Sequence, residues 1–93
     1  MSRKRNSIEI YAAILKAARN GARKSHIVYK ANLNFKIVKS YLDHLRQSGL
    51  ISGPDNQNRV FRTTNKGIEY LDYFEGFSNY MNLETFNSYM API

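Results

Sequence analysis

Apolar residues recur at helical spacing in four stretches of the chain, and turn-forming residues separate them. The sharpest stripe lies between Ala31 and Ile51, in ANLNFKIVKSYLDHLRQSGLI. Val38, Leu42 and Leu45 follow at four- and three-residue spacing with Tyr41 beside them, which predicts a helix with one buried face. Asn34 stands where an N-cap belongs, and Gly49 closes the helix before an extended Leu50-Ile51. Upstream, Ser7 is expected to cap a first helix running to about Arg19. Its buried stripe is Ile8, Tyr11, Ala12, Leu15 and Ala18, with Ile10 and Ile14 on a flanking edge. Asn20-Gly21 stops that helix, and Ala22 to Lys24 forms a basic link. Ser25 then caps a short second helix with Ile27, Val28 and Ala31 inward, and Asn32 to Asn34 makes a tight turn.

Beyond Gly49 the period changes. Leu50 to Ser52 and Val60 to Thr63 read as two short strands around Gly53-Pro54-Asp55-Asn56-Gln57-Asn58, a run dense in turn formers, so a hairpin is predicted. Thr64 can cap a fourth helix, on which Ile68, Leu71, Phe74 and Phe77 recur, with Tyr70, Tyr73, Tyr80 and Met81 widening the apolar surface. A short helix, a tight turn and a longer helix with a polar, basic first turn make a helix-turn-helix, and a basic hairpin after it makes a wing. The fold expected is mainly α with a small β hairpin: an arm over residues 1–6, a winged helix-turn-helix over 7–64, and a helical dimerisation segment over 65–93.

Charge adds a division of labour. The chain of 93 residues carries a formal net charge of +7, unevenly spread. Residues 1–64 hold thirteen Lys and Arg against Glu9, Asp43 and Asp55, whereas residues 65–93 hold Lys66 against Glu69, Asp72, Glu75 and Glu84. A basic body suits a polyanion, because Lys and Arg displace the counterions condensed on it. Lys36 and Lys39 on the third helix, with Lys24 and Lys30 in the preceding segments, are the expected helix-turn-helix contacts to DNA, with Asn34 and Ser40 nearer the bases. Arg59 and Arg62 flank the returning strand of the wing. Arg3, Lys4 and Arg5 give the arm further phosphate or minor-groove contacts, and Arg23 is a weaker candidate. Ile68, Leu71, Phe74, Phe77, Tyr80 and Met81 are the expected dimer contacts, since so aromatic a surface exceeds what one small domain covers.

The blocks Lys30–Ile51 and TTNKGIEYL (Thr63–Leu71), with the hairpin between them, resemble small archaeal winged-helix DNA-binding proteins of the Sulfolobus 10a and PadR-like types. The resemblance implies that Asn34, Lys36, Ile37, Lys39 and Ser40 face DNA from a recognition helix, that Arg59 and Arg62 belong to the wing, and that the last helix dimerises. That family uses a long antiparallel coiled coil, whereas this tail is aromatic and interrupted by Gly76 and several Asn. Length and layout also resemble the AspA-type proteins that bind archaeal plasmid partition sites. That likeness implies site-specific binding, spreading along DNA, and handover to a partition adaptor and a ParA-type ATPase. Tyr41 lies one residue off the core stripe: half-buried in the simplest packing, or, if exposed, a contact between neighbouring dimers.

Other chemistries are poorly supplied. The chain has no Cys and only His26 and His44, with no third ligand at metal spacing and no glycine-rich phosphate loop, so neither an enzyme, a metal site nor a cofactor is expected. No apolar run approaches the ~20 residues of a membrane span, and an intracellular, nucleoid- or plasmid-associated protein is expected. Within the DNA-binding reading, plasmid partition, transcriptional regulation and architectural chromatin binding stay open. An aromatic protein-interaction module that binds no DNA is the alternative from another class.

Overall fold

Asn6 begins the first helix, α1 (Ser7–Ala17), one residue earlier than expected. Its Oδ1 accepts the Glu9 N–H at 2.9 Å, and Glu9 Oε1 accepts the Asn6 N–H at 3.0 Å. The reciprocal pair needs an acidic residue three positions on. Ser7 has Ile10 there, so Asn6 takes the cap. The buried arc of α1 is also wider than a one-sided stripe, because α2 and α4 both pack on the helix. Ile10 and Ile14, expected at the edge, are core residues, whereas Ile8 in the first turn stays 55% exposed.

The computed structural model describes residues 5–80, with side chains described through Phe77. After α1 the order is β1 (Ala22–Arg23), α2 (Lys24–Ala31), α3 (Phe35–Gln47), β2 (Ile51–Ser52), β3 (Val60–Thr63) and α4 (Asn65–Tyr80). The segment read as a basic link is therefore a strand. Ala22 pairs with Phe61 and Arg23 with Val60, while Ile51 pairs with Thr63 and Ser52 with Arg62, giving an antiparallel sheet in the order β1-β3-β2. Two residues carry no period of their own. What makes them a strand is the free edge of β3. Because β1 runs directly into α2, the N-cap position falls on Arg23, which makes no side-chain cap bond, and Ser25 lies inside the helix instead of capping it.

The helix-turn-helix unit is fixed by its ends. α2 finishes with Asn32 in the left-handed region, φ 55°, while the Leu33 N–H returns to the Val28 carbonyl at 2.9 Å. Two residues later Asn34 caps α3 through a 2.7 Å bond from the Lys36 N–H. At its far end Gly49 at φ 77° lets the Leu50 N–H reach the Leu45 carbonyl and its own N–H reach Arg46, a Schellman motif. Val38, Leu42 and Leu45 are buried, as their spacing required. Thr63, the one buried polar side chain among the described residues, donates its hydroxyl to the Leu15 carbonyl at 2.6 Å, tying the sheet to α1. Thr64 accepts the Gly67 N–H and donates to the Gly49 carbonyl, so it caps α4 and anchors the end of α3 together.

Candidate nucleic-acid interface

α3 divides the surface it dominates into three strips. Toward α1, Tyr41 is partly buried and meets Tyr11 edge-on, with ring centroids 5.4 Å apart, and His44 stacks on the same ring at 5.6 Å. Outward, Lys36, Ser40 and Gln47 are exposed. Toward the wing, Phe35, Lys39, Asp43 and Arg46 form one wall of a groove. Its other walls are Arg23, Lys24 and Ser25, where β1 enters α2, and Pro54, Arg59 and Phe61 from the wing. The groove has a volume of about 520 Å³, a floor that includes Leu42 and Phe61, and five cationic side chains against a single carboxylate.

The wing is built by Asp55. One of its carboxylate oxygens accepts the N–H groups of Asn58 at 2.8 Å and Val60 at 3.2 Å, and its backbone N–H donates to the Val60 carbonyl. These amide bonds hold the Asp55 carboxyl below the usual carboxylate range, that from Asn58 contributing most. The turn places Arg59 at φ 56°, pointing into the groove. Arg23 crosses from β1 and donates through Nε to the Asn58 carbonyl at 3.1 Å, which links the wing tip to the start of α2. On the third wall, Asp43 Oδ2 accepts from Lys39 Nζ at 3.0 Å, and its Oδ1 lies 3.5 Å from Arg46. The Lys39 hydrogen bond, then the charges of Lys39, Arg46 and Lys24, keep the Asp43 carboxyl below its ordinary pKa.

The expected residues thus separate. Lys24, Lys39 and Arg59 share the groove; Lys36, Ile37 and Ser40 lie exposed on α3 outside it; Asn34 is exposed at the head of the helix. Ser40 donates its hydroxyl to the Ile37 carbonyl at 3.0 Å, so only its acceptor lone pairs remain available. Lys30 is exposed on α2 but does not line the groove. Arg62 does not join Arg59: strand alternation turns it to the other face of β3, where its guanidinium lies over Gly21. Arg5 is no free arm residue, because it donates to the Ala31 and Asn32 carbonyls, each at 2.8 Å. Arg3 and Lys4 lie outside the described residues. In the segment expected to dimerise, Leu71 is instead a core residue at 1% exposure, Phe74 packs partly against that core and Ile68 is half-buried. Phe77 is exposed, together with Tyr73; the Tyr80 side chain and Met81 are outside the described residues. Sequence reading passed over Arg46, Asp43 and Phe35. Arg46 follows Lys39 by seven residues, two helical turns, and that spacing could have found it. Only the folded wing reveals the facing role of Arg23.

The chain matches a family model described as winged helix-turn-helix over residues 4–82. The chain belongs to the winged helix-turn-helix family. Among solved structures it is similar to Sso10a-2, a DNA-binding protein from Sulfolobus solfataricus, with a TM-score of 0.74 and 22% identity, covering 96% of this chain and 99% of that one. At that identity the likeness describes the winged helix-turn-helix fold. No curated protein matches the sequence. Within the winged helix-turn-helix frame, α3 occupies the position of the recognition helix and β2–β3 that of the wing. Among the described residues no helix is long and apolar enough to cross a membrane, and no three His, Asp or Glu side chains gather as a metal site.

Proposed function

We propose that this protein is a homodimeric, site-specific double-stranded DNA-binding protein that inserts the outward face of α3 into the major groove and holds the adjacent backbone with the groove between α3 and the wing. The observation that carries the reading is that groove: Arg23, Lys24, Lys39, Arg46 and Arg59 converge on it from β1, α2, α3 and the wing. Cations gathered from distant parts of the chain onto one concave face repel one another, and a polyanion offsets that cost. Lys36, Ser40 and Gln47 beside them supply donors and acceptors for base edges. Sso10a-2, which has this fold, is described as DNA-binding. Self-association draws on α4, where Tyr73 is 83% and Phe77 62% exposed, four residues apart on one face of the helix.

For its biological use we favour a plasmid partition site, on the sequence's resemblance to AspA-type proteins, with transcriptional regulation as the second reading. In the first case the dimer spreads from its site and meets a partition adaptor and a ParA-type ATPase. Footprinting on DNA flanking the native gene, over a protein titration with excess competitor, separates these uses. A protected palindrome that lengthens outward as protein rises fits partition, and a site of fixed size over a promoter fits a repressor. Coverage with no preferred start indicates chromatin binding. Absence of protection at low salt overturns the DNA reading and leaves the exposed aromatics of α4 as the functional surface of a protein-interaction module.

A further inference from the structure

Asp43 is out of place on a surface built for a polyanion. It is the one acid among the groove-lining residues, and its side chain is 40% exposed, so phosphates can reach its neighbourhood. It also stands in register with the outward face of α3. Lys36, Ser40, Asp43 and Gln47 follow at four-, three- and four-residue intervals, which sets them in one row along the helix. Asp43 therefore belongs both to the row that faces bases and to the wall that faces backbone.

We propose that Asp43 is a specificity-determining residue, a carboxylate that makes tight binding conditional on the base pair it meets; the inference rests on the DNA-binding reading above. Two effects act together. Toward the backbone, Asp43 engages Lys39 at 3.0 Å and Arg46 at 3.5 Å, so a phosphate must compete with it for two of the five groove cations. Non-specific attraction, which depends on the number of phosphates neutralised, is thereby reduced. Toward the bases, an ionised carboxylate offers acceptors and no donor. In the major groove its partner is an exocyclic amino group, above all the N4 amino group of cytosine. A cytosine, or an adenine, that places its amino group opposite Asp43 satisfies the lone pairs Lys39 and Arg46 leave free. Guanine or thymine at that position, whose major-groove edge presents only acceptors, sets the carboxylate against a negative edge. Asp43 is ionised at neutral pH, as an ordinary carboxylate is, and the Lys39 hydrogen bond and the surrounding charges lower its pKa further, so the discrimination persists across neutral pH.

Asp43→Asn tests this, because it preserves shape and keeps an acceptor for Lys39 while removing the charge. Asp72→Asn, an exposed site on α4, makes the same change in net charge away from the groove. Duplexes are first selected from a random pool with the wild-type protein. Affinity for the selected and for a random-sequence duplex is then measured over a salt series with all three proteins, after circular dichroism melting shows that each is folded. The expected result is that Asp43→Asn binds random sequence more tightly. Its log K–log salt slope steepens by up to about 1.8, two released cations at about 0.9 each. Its preference for the selected duplex falls about tenfold or more, and Asp72→Asn does neither. Equal behaviour of the two variants, selection without an enriched sequence, or weaker binding of both duplexes by Asp43→Asn would overturn the proposal while leaving DNA binding intact. A wild-type protein that binds neither duplex at low salt overturns the DNA reading itself.

Discussion

Asn34 and Asp55 each use one side-chain oxygen to hold a whole functional element in place. Asn34 Oδ1 caps α3 through the Lys36 N–H, at the end of the helix that leads into the proposed DNA contact. Replacing it by Ala leaves that first-turn amide without a partner. We expect Asn34→Ala to cost about 1 kcal/mol, read as a lower midpoint in denaturant unfolding with an unchanged slope. Asp55 does the same for the wing by accepting the Asn58 and Val60 N–H groups. Its pKa is depressed in the folded state, so its contribution is present above the ordinary carboxylate value of about 4 and is lost as pH falls through the depressed value. The Asn58 and Val60 amides should therefore lose protection from hydrogen exchange below about pH 4. Protection that does not change down to pH 2 would remove Asp55 from that role. Both side chains sit at turn and cap positions that the sequence marks by residue type. Which amides they bind is visible only once the chain has turned.

Among the elements, α3 was the most legible, and the reason is geometric. It buries one face, so its stripe matches its burial residue for residue, and its cap and its Gly49 stop stand at its two ends. α1 was read less well because two neighbours enclose it and its first-turn isoleucine stays outside. β1 could not be read at all from Ala22 and Arg23, since only pairing with Val60 and Phe61 makes it a strand. The same limit applies to the site. The cations were visible as residues, but the separation of Arg59 from Arg62 and the recruitment of Arg23 depend on sheet faces and on a wing that folds back. Arg5 is a further case: read as part of a loose arm, it bridges the carbonyls that end α2 and complements the negative end of that helix dipole. We expect Arg5→Ala to destabilise the fold by roughly 1 kcal/mol in thermal unfolding. The salt slope of DNA binding should not change, because Arg5 is occupied within the protein. A slope reduced by about 0.9 would instead make Arg5 a phosphate contact.

At the scale of the molecule, the groove cations and the exposed pair Tyr73 and Phe77 belong to different elements, while Tyr29 on α2 and Phe35 beside the groove are exposed aromatics as well. The groove cations and the row along α3 lie on the winged helix-turn-helix body, while Tyr73 and Phe77 lie on α4, whose segment of the chain carries the excess of acids. In the function proposed above, the winged body meets DNA and α4 a second copy, which would bring two copies of α3 to one duplex. The central claim is that α3 and the groove beside it bind duplex DNA. It is tested most directly by the salt dependence of affinity for wild-type protein and for a variant with Lys24, Lys36 and Arg59 all changed to Gln. Wild-type affinity should fall linearly on a log–log scale, and the variant should bind more weakly with a slope shallower by up to about 2.7, three contacts at about 0.9 each. Equal affinity and slope for the two proteins, or no wild-type binding at low salt, would contradict the account.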